Sequence, residues 1–327
     1  MQISVFMRVC TLCAILFATI GCSSSTPPTS GLRNYVQGVY VSGSTIYAAT
    51  NGGLSVSVDN GSTWKDYTTA NGLGDNNVNG VFADASGNTI YAATSGGLSI
   101  STDAGKTWKN QKIGGGPIEG VCVNGSYIFA IIGVASETIG GVAISTDNVN
   151  WTVKNTTNGL GSNYVHEVFA SGSNIYAATQ GGLSVSVDGG NSWQNNHISI
   201  TTVDGVVNND NVLGVYVNGG LIYAATSLGV SVYDGSTWTN YPIMNGKLNL
   251  VAEGVYVSGG VIYAATSGGV AVSSGSTWMI YTTVNGLGSN SVNSIYINGN
   301  MIYAATQKGL SVYNGSTWTN YITANGF

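Results

Sequence analysis

Ile46-Tyr47-Ala48-Ala49-Thr50-Asn51-Gly52-Gly53-Leu54-Ser55-Val56-Ser57 reads as a tight β-hairpin. Two short apolar runs flank a Gly-Gly turn, and turn residues bounding β-rich runs are what a hairpin needs. Alternation puts Tyr47 and Ala49 on one face of the first run and Ile46, Ala48 and Thr50 on the other. Both faces are moderately apolar, so the sheet is expected to be covered on both sides. A one-sided sandwich would alternate apolar and polar more cleanly.

Working outward, a Ser-Gly turn leads back to Val39-Tyr40-Val41, and a turn at Gly61 leads on to a fourth run, Trp64 to Tyr67. This four-strand unit repeats. Ile-Tyr-Ala-Ala-Thr recurs at 90–94, 175–179, 222–226, 262–266 and 302–306, and Ile128-Phe129-Ala130-Ile131-Ile132 is a degenerate copy in the remaining gap. Each copy takes one of the chain's Trp residues, at 64, 108, 151, 193, 238, 278 and 318, separated by 40 to 45 residues. Four strands per unit at that period predict an all-β, seven-bladed β-propeller with four short antiparallel strands per blade, spanning 31–327. Gly31-Leu32 matches the inter-unit Asn71-Gly72-Leu73, and Asn325-Gly326-Phe327 stops in the same phase. The ring is therefore expected to close between two whole blades. A linear stack would want distinct polar caps, whereas the first and last units are among the most regular.

Composition narrows the function. Charged residues make up 7% of the 327-residue chain, and its formal net charge is −5. Nine Lys plus Arg, scattered along the sequence, make no basic face for phosphates, which sets nucleic acid aside as a partner.

The first residues read as an export signal. Arg8 precedes a 12-residue apolar run, Val9 to Ile20, too short to span a bilayer, which takes roughly 20 apolar residues. Thr19-Ile20-Gly21-Cys22, followed by Ser23-Ser24-Ser25-Thr26-Pro27-Pro28, resembles a bacterial lipoprotein signal, with Thr19 where that family prefers Leu. The resemblance implies a signal peptide over 1–21, a lipid on Cys22, a Ser/Thr/Pro linker over 22–30 and a membrane tether. Ser23 is not the Asp that retains such proteins at the inner membrane, so the outer membrane, on its periplasmic or outer face, is the expected location. Ordinary cleavage nearby, giving a soluble secreted protein, is the alternative. Of the other cysteines, Cys10 and Cys13 leave with the signal. Cys122, in Val121-Cys122-Val123, is expected to be a buried, inert thiol.

Ser57-Val58-Asp59-Asn60-Gly61-Ser62-Thr63-Trp64 resembles the Asp-box, or BNR, repeat. Ser101 to Trp108, with Asp103, and Ser186 to Trp193, with Asp188, match it too. Ser145 to Trp151, with Asp147, is one residue short. The later units resemble instead the propeller repeat found in sensory regions of two-component regulators. Asn285-Gly286-Leu287, Asn290-Ser291-Val292 and Gly309-Leu310-Ser311-Val312-Tyr313-Asn314-Gly315 carry that pattern. In the Asp-box reading Asp59, Asp103, Asp147 and Asp188 are structural: each carboxylate fixes a tight turn by accepting N–H bonds, and Trp64, Trp108, Trp151 and Trp193 bury behind them.

Asp-box propellers include sialidases, which grip a carboxylate with three arginines. This chain has only Arg8 and Arg33, so a sialidase is excluded. Another glycosidase would need two carboxylates about 5–9.5 Å apart. Ten carboxylates lie outside the Asp-box positions, and nothing in the sequence pairs two of them. His166 and His197 have no metal-ligand spacing. No catalytic residue, metal or cofactor is assigned.

Two residues before the first-strand Val of each unit, or its Ile in the last, stand Gln37, Asn79, Glu119, His166, Leu213, Glu253 and Asn293. In a ring these equivalent positions would circle one mouth of the central channel, where loops from separate blades converge. The six polar ones are the candidate ligand-binding residues; a solvated loop end is the plainer reading. The irregular segments Gly133–Gly140, an enlarged turn carrying Glu137, and His197–Val207, a lengthened linker, are further candidates. The expected function is recognition, without catalysis, of a protein, glycan or envelope component by a tethered propeller. A carbohydrate-active hydrolase and a sensory module for a separate kinase are the alternatives.

Overall fold

The computed structural model describes residues 35–322 except 137–138, 203–204 and 275–276. The signal, Cys22, the linker, Arg33, Glu137 and Asp204 lie outside the described residues. Seven four-stranded antiparallel sheets follow one another along the chain, each a simple meander with its strands in sequence order. In blade one the strands are Val36–Ser42, Thr45–Thr50, Gly53–Ser57 and Lys65–Tyr67. The first, inner strands of the other blades are Val78–Ala83, Ile118–Asn124, Val165–Ser171, Val212–Asn218, Ala252–Ser258 and Val292–Asn298. Each inner strand packs beside the next, and that of blade seven packs beside that of blade one. This is the seven-bladed propeller, and blades one and seven are each built from consecutive strands, so the ring closes between whole blades.

The core consists of seven apolar clusters, one in each seam between adjacent blades. The alternation read in Ile46–Thr50 decides which seam each side chain enters. Tyr47 and Ala49 pack with Leu54 and Val56 against blade two. Ile46 and Ala48 pack with Val36, Val39 and Val41 against Tyr303, Ala305 and Leu310 of blade seven. Small Ala beside large Tyr lets the two sheets interlock.

The Thr that ends each repeat closes its hairpin. Thr50 Oγ1 donates to the Gly53 carbonyl at 2.8 Å and accepts from the Gly52 N–H at 3.1 Å. Thr94, Thr179, Thr226, Thr266 and Thr306 make the same pair of bonds. Blade three has Ile132 at this position and cannot close the turn there. Its second strand instead runs on over Tyr127–Ser136 and pairs with Ile139–Ser145, with a register break between Ile132 and Ser136. The segment expected to be an enlarged turn is thus largely a lengthened hairpin. The lengthened linker likewise contains a hairpin, Ser199–Thr202 against Gly205–Asn208. His197 Nδ1 lies 2.9 Å from Asp210 Oδ2 at its base. A second small hairpin, Met244–Asn245 against Leu248–Asn249, joins blades five and six.

At the rim, Asp59 Oδ1 accepts from the Thr63 N–H at 2.8 Å, and Oδ2 accepts from Thr63 Oγ1 at 2.7 Å. Ser57 Oγ donates to Asp59 and accepts from the Gly61 N–H, both at 2.8 Å. Asp103 and Asp188 make equivalent sets with Thr107 and Ser192. In the shortened copy Asp147 bonds Val149 and Asn150 instead. The Trp residues differ from expectation. Only Trp193 is fully buried; Trp64, Trp108 and Trp151 are half-buried. They sit at the periphery and lean on the preceding blade rather than sinking behind their own turn. Trp108 meets Tyr67 edge-on at 5.6 Å, and Trp64 meets Tyr321 at 5.5 Å. Where Gln111 replaces that Tyr, Trp151 Nε1 donates to its Oε1 at 2.8 Å.

Candidate functional site: the channel mouth

Every inner strand carries a register break in its pairing with the second strand. In blade one Val36 pairs with Thr50 and Gly38 with Ala49, leaving Gln37 without a counterpart. The same break isolates Asn79, Glu119, His166, Leu213, Glu253 and Asn293. A β-bulge takes its extra residue out of the ladder and can re-aim its side chain. Here the seven bulged residues, joined by Tyr35, line one cavity of about 250 Å³. The structure thus brings all six polar candidates together with Leu213.

Amides brace one side of this mouth. Gln37 Nε2 donates to Asn77 Oδ1 at 2.8 Å and to Asn79 Oδ1 at 3.1 Å. Asn79 Nδ2 donates to the Ile118 carbonyl at 2.9 Å, and Asn293 Nδ2 to the Val36 carbonyl at 2.7 Å. These bonds tie each bulge to the next blade. His166 Nε2 stands 3.2 Å from Asn211 Oδ1, and partial enclosure lowers its pKa against the opposing pull of that oxygen. Glu119 and Glu253 reach solvent, yet the surrounding wall desolvates them and raises both carboxyls above the usual range. Glu119 leans over Gly133, where a Cβ would come within 2.6 Å of its Oε1.

Two deeper layers escape the sequence reading. One residue past the bulges stand Gly38, Gly80, Gly120, Glu167, Gly214, Gly254 and Ser294. Small residues are required here because the inner strands converge: a Cβ on Gly214 would lie 3.1 Å from Gly254 Cα and 3.0 Å from Glu167 Oε2. Glu167 is the exception. Its Oε2 accepts from the Val215 N–H at 2.8 Å, and desolvation pushes its carboxyl up to about 7. Three residues past the bulges comes an aromatic collar. Phe82, Tyr40, Tyr296, Tyr256, Tyr216 and Phe169 follow one another with ring centroids 4.5 to 5.4 Å apart. Cys122 takes the seventh position and breaks the collar; burial pushes its thiol up to about 12, as an inert cysteine requires. Aligning the seven units on their bulges would have revealed the collar, because Tyr or Phe stands at that place in six of them.

No family model matches the sequence, and no curated protein matches it. Solved structures match its fold. The extracellular domain of a hybrid two-component system from B. thetaiotaomicron superposes with a TM-score of 0.69 at 15% identity, over 86% of this chain and 38% of that one. An ancestral GH74 enzyme gives 0.68 at 17% identity, over 91% and 48%. PorZ, a surface component of the type-IX secretion system of Porphyromonas gingivalis, gives 0.67 at 13% identity, over 90% and 48%. The chain therefore spans less than half the length of each, and what it shares with them is the propeller.

Proposed function

We propose that this chain is an exported, lipid-tethered propeller that recognises a protein, glycan or envelope component at its channel mouth and carries out no chemistry on it. The observation that carries the reading is the convergence of seven bulged residues, one per blade and six of them polar, on a single cavity. The bulge in every blade frees a side chain from the ladder and aims it at the same place, which a recognition surface uses. The fold's recurrence in the extracellular domain of a hybrid two-component system and in a secretion-system surface component is in keeping with an exported module. The sequence features at Cys22 supply the tether.

The test is crosslinking capture from native cells, with mass spectrometry of what is retained. A partner lost from Glu119→Ala/His166→Ala/Glu253→Ala supports the mouth. A partner that survives the triple change moves recognition to the outer loops. A second reading rests on one observation: Glu119, Glu253 and Glu167, all with raised carboxyl pKa values, line the same channel. A glycosidase needs such a proton-bearing carboxyl, and a GH74 enzyme shares the fold. Release of reducing ends from a polysaccharide panel, abolished by single Glu→Gln changes, would favour it over a binding module.

A further inference from the structure

The cavity that opens at the mouth continues to the aromatic collar and measures about 360 Å³. Its chemistry is one-sided. The wall presents three carboxylates and six aromatic rings, and among the described residues neither Lys nor Arg lines it. The one imidazole present, His166, is biased toward its neutral form. Negatively charged ligands are disfavoured by such a wall. A cation gains twice, from the carboxylates and from the negative faces of the rings.

Glu167 marks where a positive group would rest. It is partly exposed, and its side chain lines the channel. One carboxylate oxygen takes the Val215 N–H; the other has no partner among the described residues. A carboxylate in a narrow channel is only partly hydrated, and a donor or counter-charge that meets its open oxygen is favoured. The equivalent position in the other blades is Gly or Ser, so the ring closes without a carboxylate there. Glu119 and Glu253 likewise accept no hydrogen bond from a described residue.

We infer that the channel is a receptor site for a primary alkyl-ammonium group, which enters past Glu119 and Glu253 and donates to the free oxygen of Glu167 above the aromatic collar. This rests on the reading of the mouth as the binding site and names the ligand chemistry. The carboxylates need N–H donors, which a quaternary headgroup lacks, and a primary ammonium offers three, enough for Glu167 and the two glutamates at the mouth. Its alkyl stem trails back toward the mouth, past Leu213, and the collar rings lie beneath the ammonium. A lysine side chain of a protein partner and a free diamine share this chemistry.

The experiment is titration calorimetry of the full-length chain in detergent micelles at low salt and about pH 8, where Glu167 is ionised. The probes are cadaverine and the blocked tripeptide acetyl-Gly-Lys-Gly-amide, with 1-pentanol and choline as controls. At least one ammonium probe should bind about tenfold or more tighter than both controls, a difference set by charge pairing and ring faces. Preference for the tripeptide identifies a protein lysine as the source, and preference for cadaverine a free amine. Glu167→Gln should remove most of that advantage. Should it fail to fold by circular dichroism, Glu119→Gln/Glu253→Gln, at solvent-reaching positions, reads the same loss. Ammonium probes that bind no better than 1-pentanol, or that ignore both carboxyl variants, overturn the inference. If that happens while a captured partner is still lost from the triple alanine variant, the mouth remains the binding site and only the ammonium chemistry falls.

Discussion

Glu167 of blade four accepts a 2.8 Å hydrogen bond from the backbone N–H of Val215 in blade five, so a carboxylate bridges two inner strands at the channel wall. Inner strands have no neighbour on their channel side, and their outward N–H groups need other acceptors. The bond lowers the pKa of Glu167, but desolvation outweighs it and lifts the carboxyl from 4.5 to about 7. Glu119, Cys122, His166 and Tyr216 share the wall around it.

That shift fixes a pH dependence. Below about pH 4.5 Glu167 is protonated in both folded and unfolded chains and contributes nothing. Between about 4.5 and 7 the unfolded chain releases the proton first, so ionisation favours unfolding, and above 7 the penalty is constant. Full desolvation would make it about 3 kcal/mol, from about 1.4 kcal/mol per pKa unit, and channel water reduces it. Glu167→Gln keeps an oxygen for Val215 and carries no charge. Urea denaturation should show the wild type losing about 1–3 kcal/mol relative to the variant between pH 5 and pH 8. A constant difference across that range would mean the carboxylate is well solvated.

The rim turns have the opposite sign. Hydrogen bonds hold Asp59, Asp103, Asp188 and Asp234 near a pKa of about 2, and Asp147 lower still. A depressed carboxyl pKa contributes stability that is complete above the unfolded value and is lost as pH falls through the folded one. The melting temperature should therefore drop steeply between about pH 4 and pH 2, and Asp59→Asn with Asp103→Asn should shallow that drop. These carboxylates are solvated, so each contributes little alone. An unchanged slope in the double variant would show that the turns hold without their charges.

The repeat made the fold legible, because Ile46–Thr50 encodes in a few residues both faces of a doubly covered strand and the Thr that closes its turn. The mouth was legible for the same reason: its residues hold one place in every unit. The bulge that frees them was not, since Val36-Gln37-Gly38-Val39 reads as ordinary strand and the break exists only in the pairing with Ala49 and Thr50. Glu167 was hidden among ten unassigned carboxylates because its environment is made by blade five, far along the chain. The lengthened hairpin of blade three followed from one missing Thr at Ile132, a loss visible in the sequence but without consequence until the turn bonds are known.

The tether is tested at Cys22. A lipid chain adds membrane affinity of about 0.8 kcal/mol per buried CH₂, so a doubly or triply acylated N-terminus holds firmly. Metabolic labelling with an alkynyl fatty acid should mark the wild-type chain, and Cys22→Ser should abolish the label and release the protein to the soluble fraction. A labelled Cys22→Ser protein, or an unlabelled wild type, would show ordinary export instead.

Closure of the ring gives the last prediction. Asn298 Nδ2 of blade seven donates to the Gly43 carbonyl of blade one at 3.1 Å, and Asn124 Nδ2 of blade three donates to the Gly172 carbonyl of blade four at 2.8 Å. The two bonds occupy the same place in the repeat. Blades three and four are also joined by the chain, whereas the described residues of blades seven and one meet through contacts such as Tyr321 against Trp64 and the half-buried Asn293 bond to the Val36 carbonyl. Each asparagine bond is worth about 1 kcal/mol net. If unfolding begins by parting the unlinked seam, Asn298→Ala lowers the cost of that first step and speeds unfolding about three- to fivefold, while Asn124→Ala leaves the rate within about twofold, since its contacts break after the barrier. Stopped-flow dilution into urea, read by tryptophan fluorescence, measures both. Equal acceleration in the two variants would show that the seam between blades seven and one opens no earlier than the others.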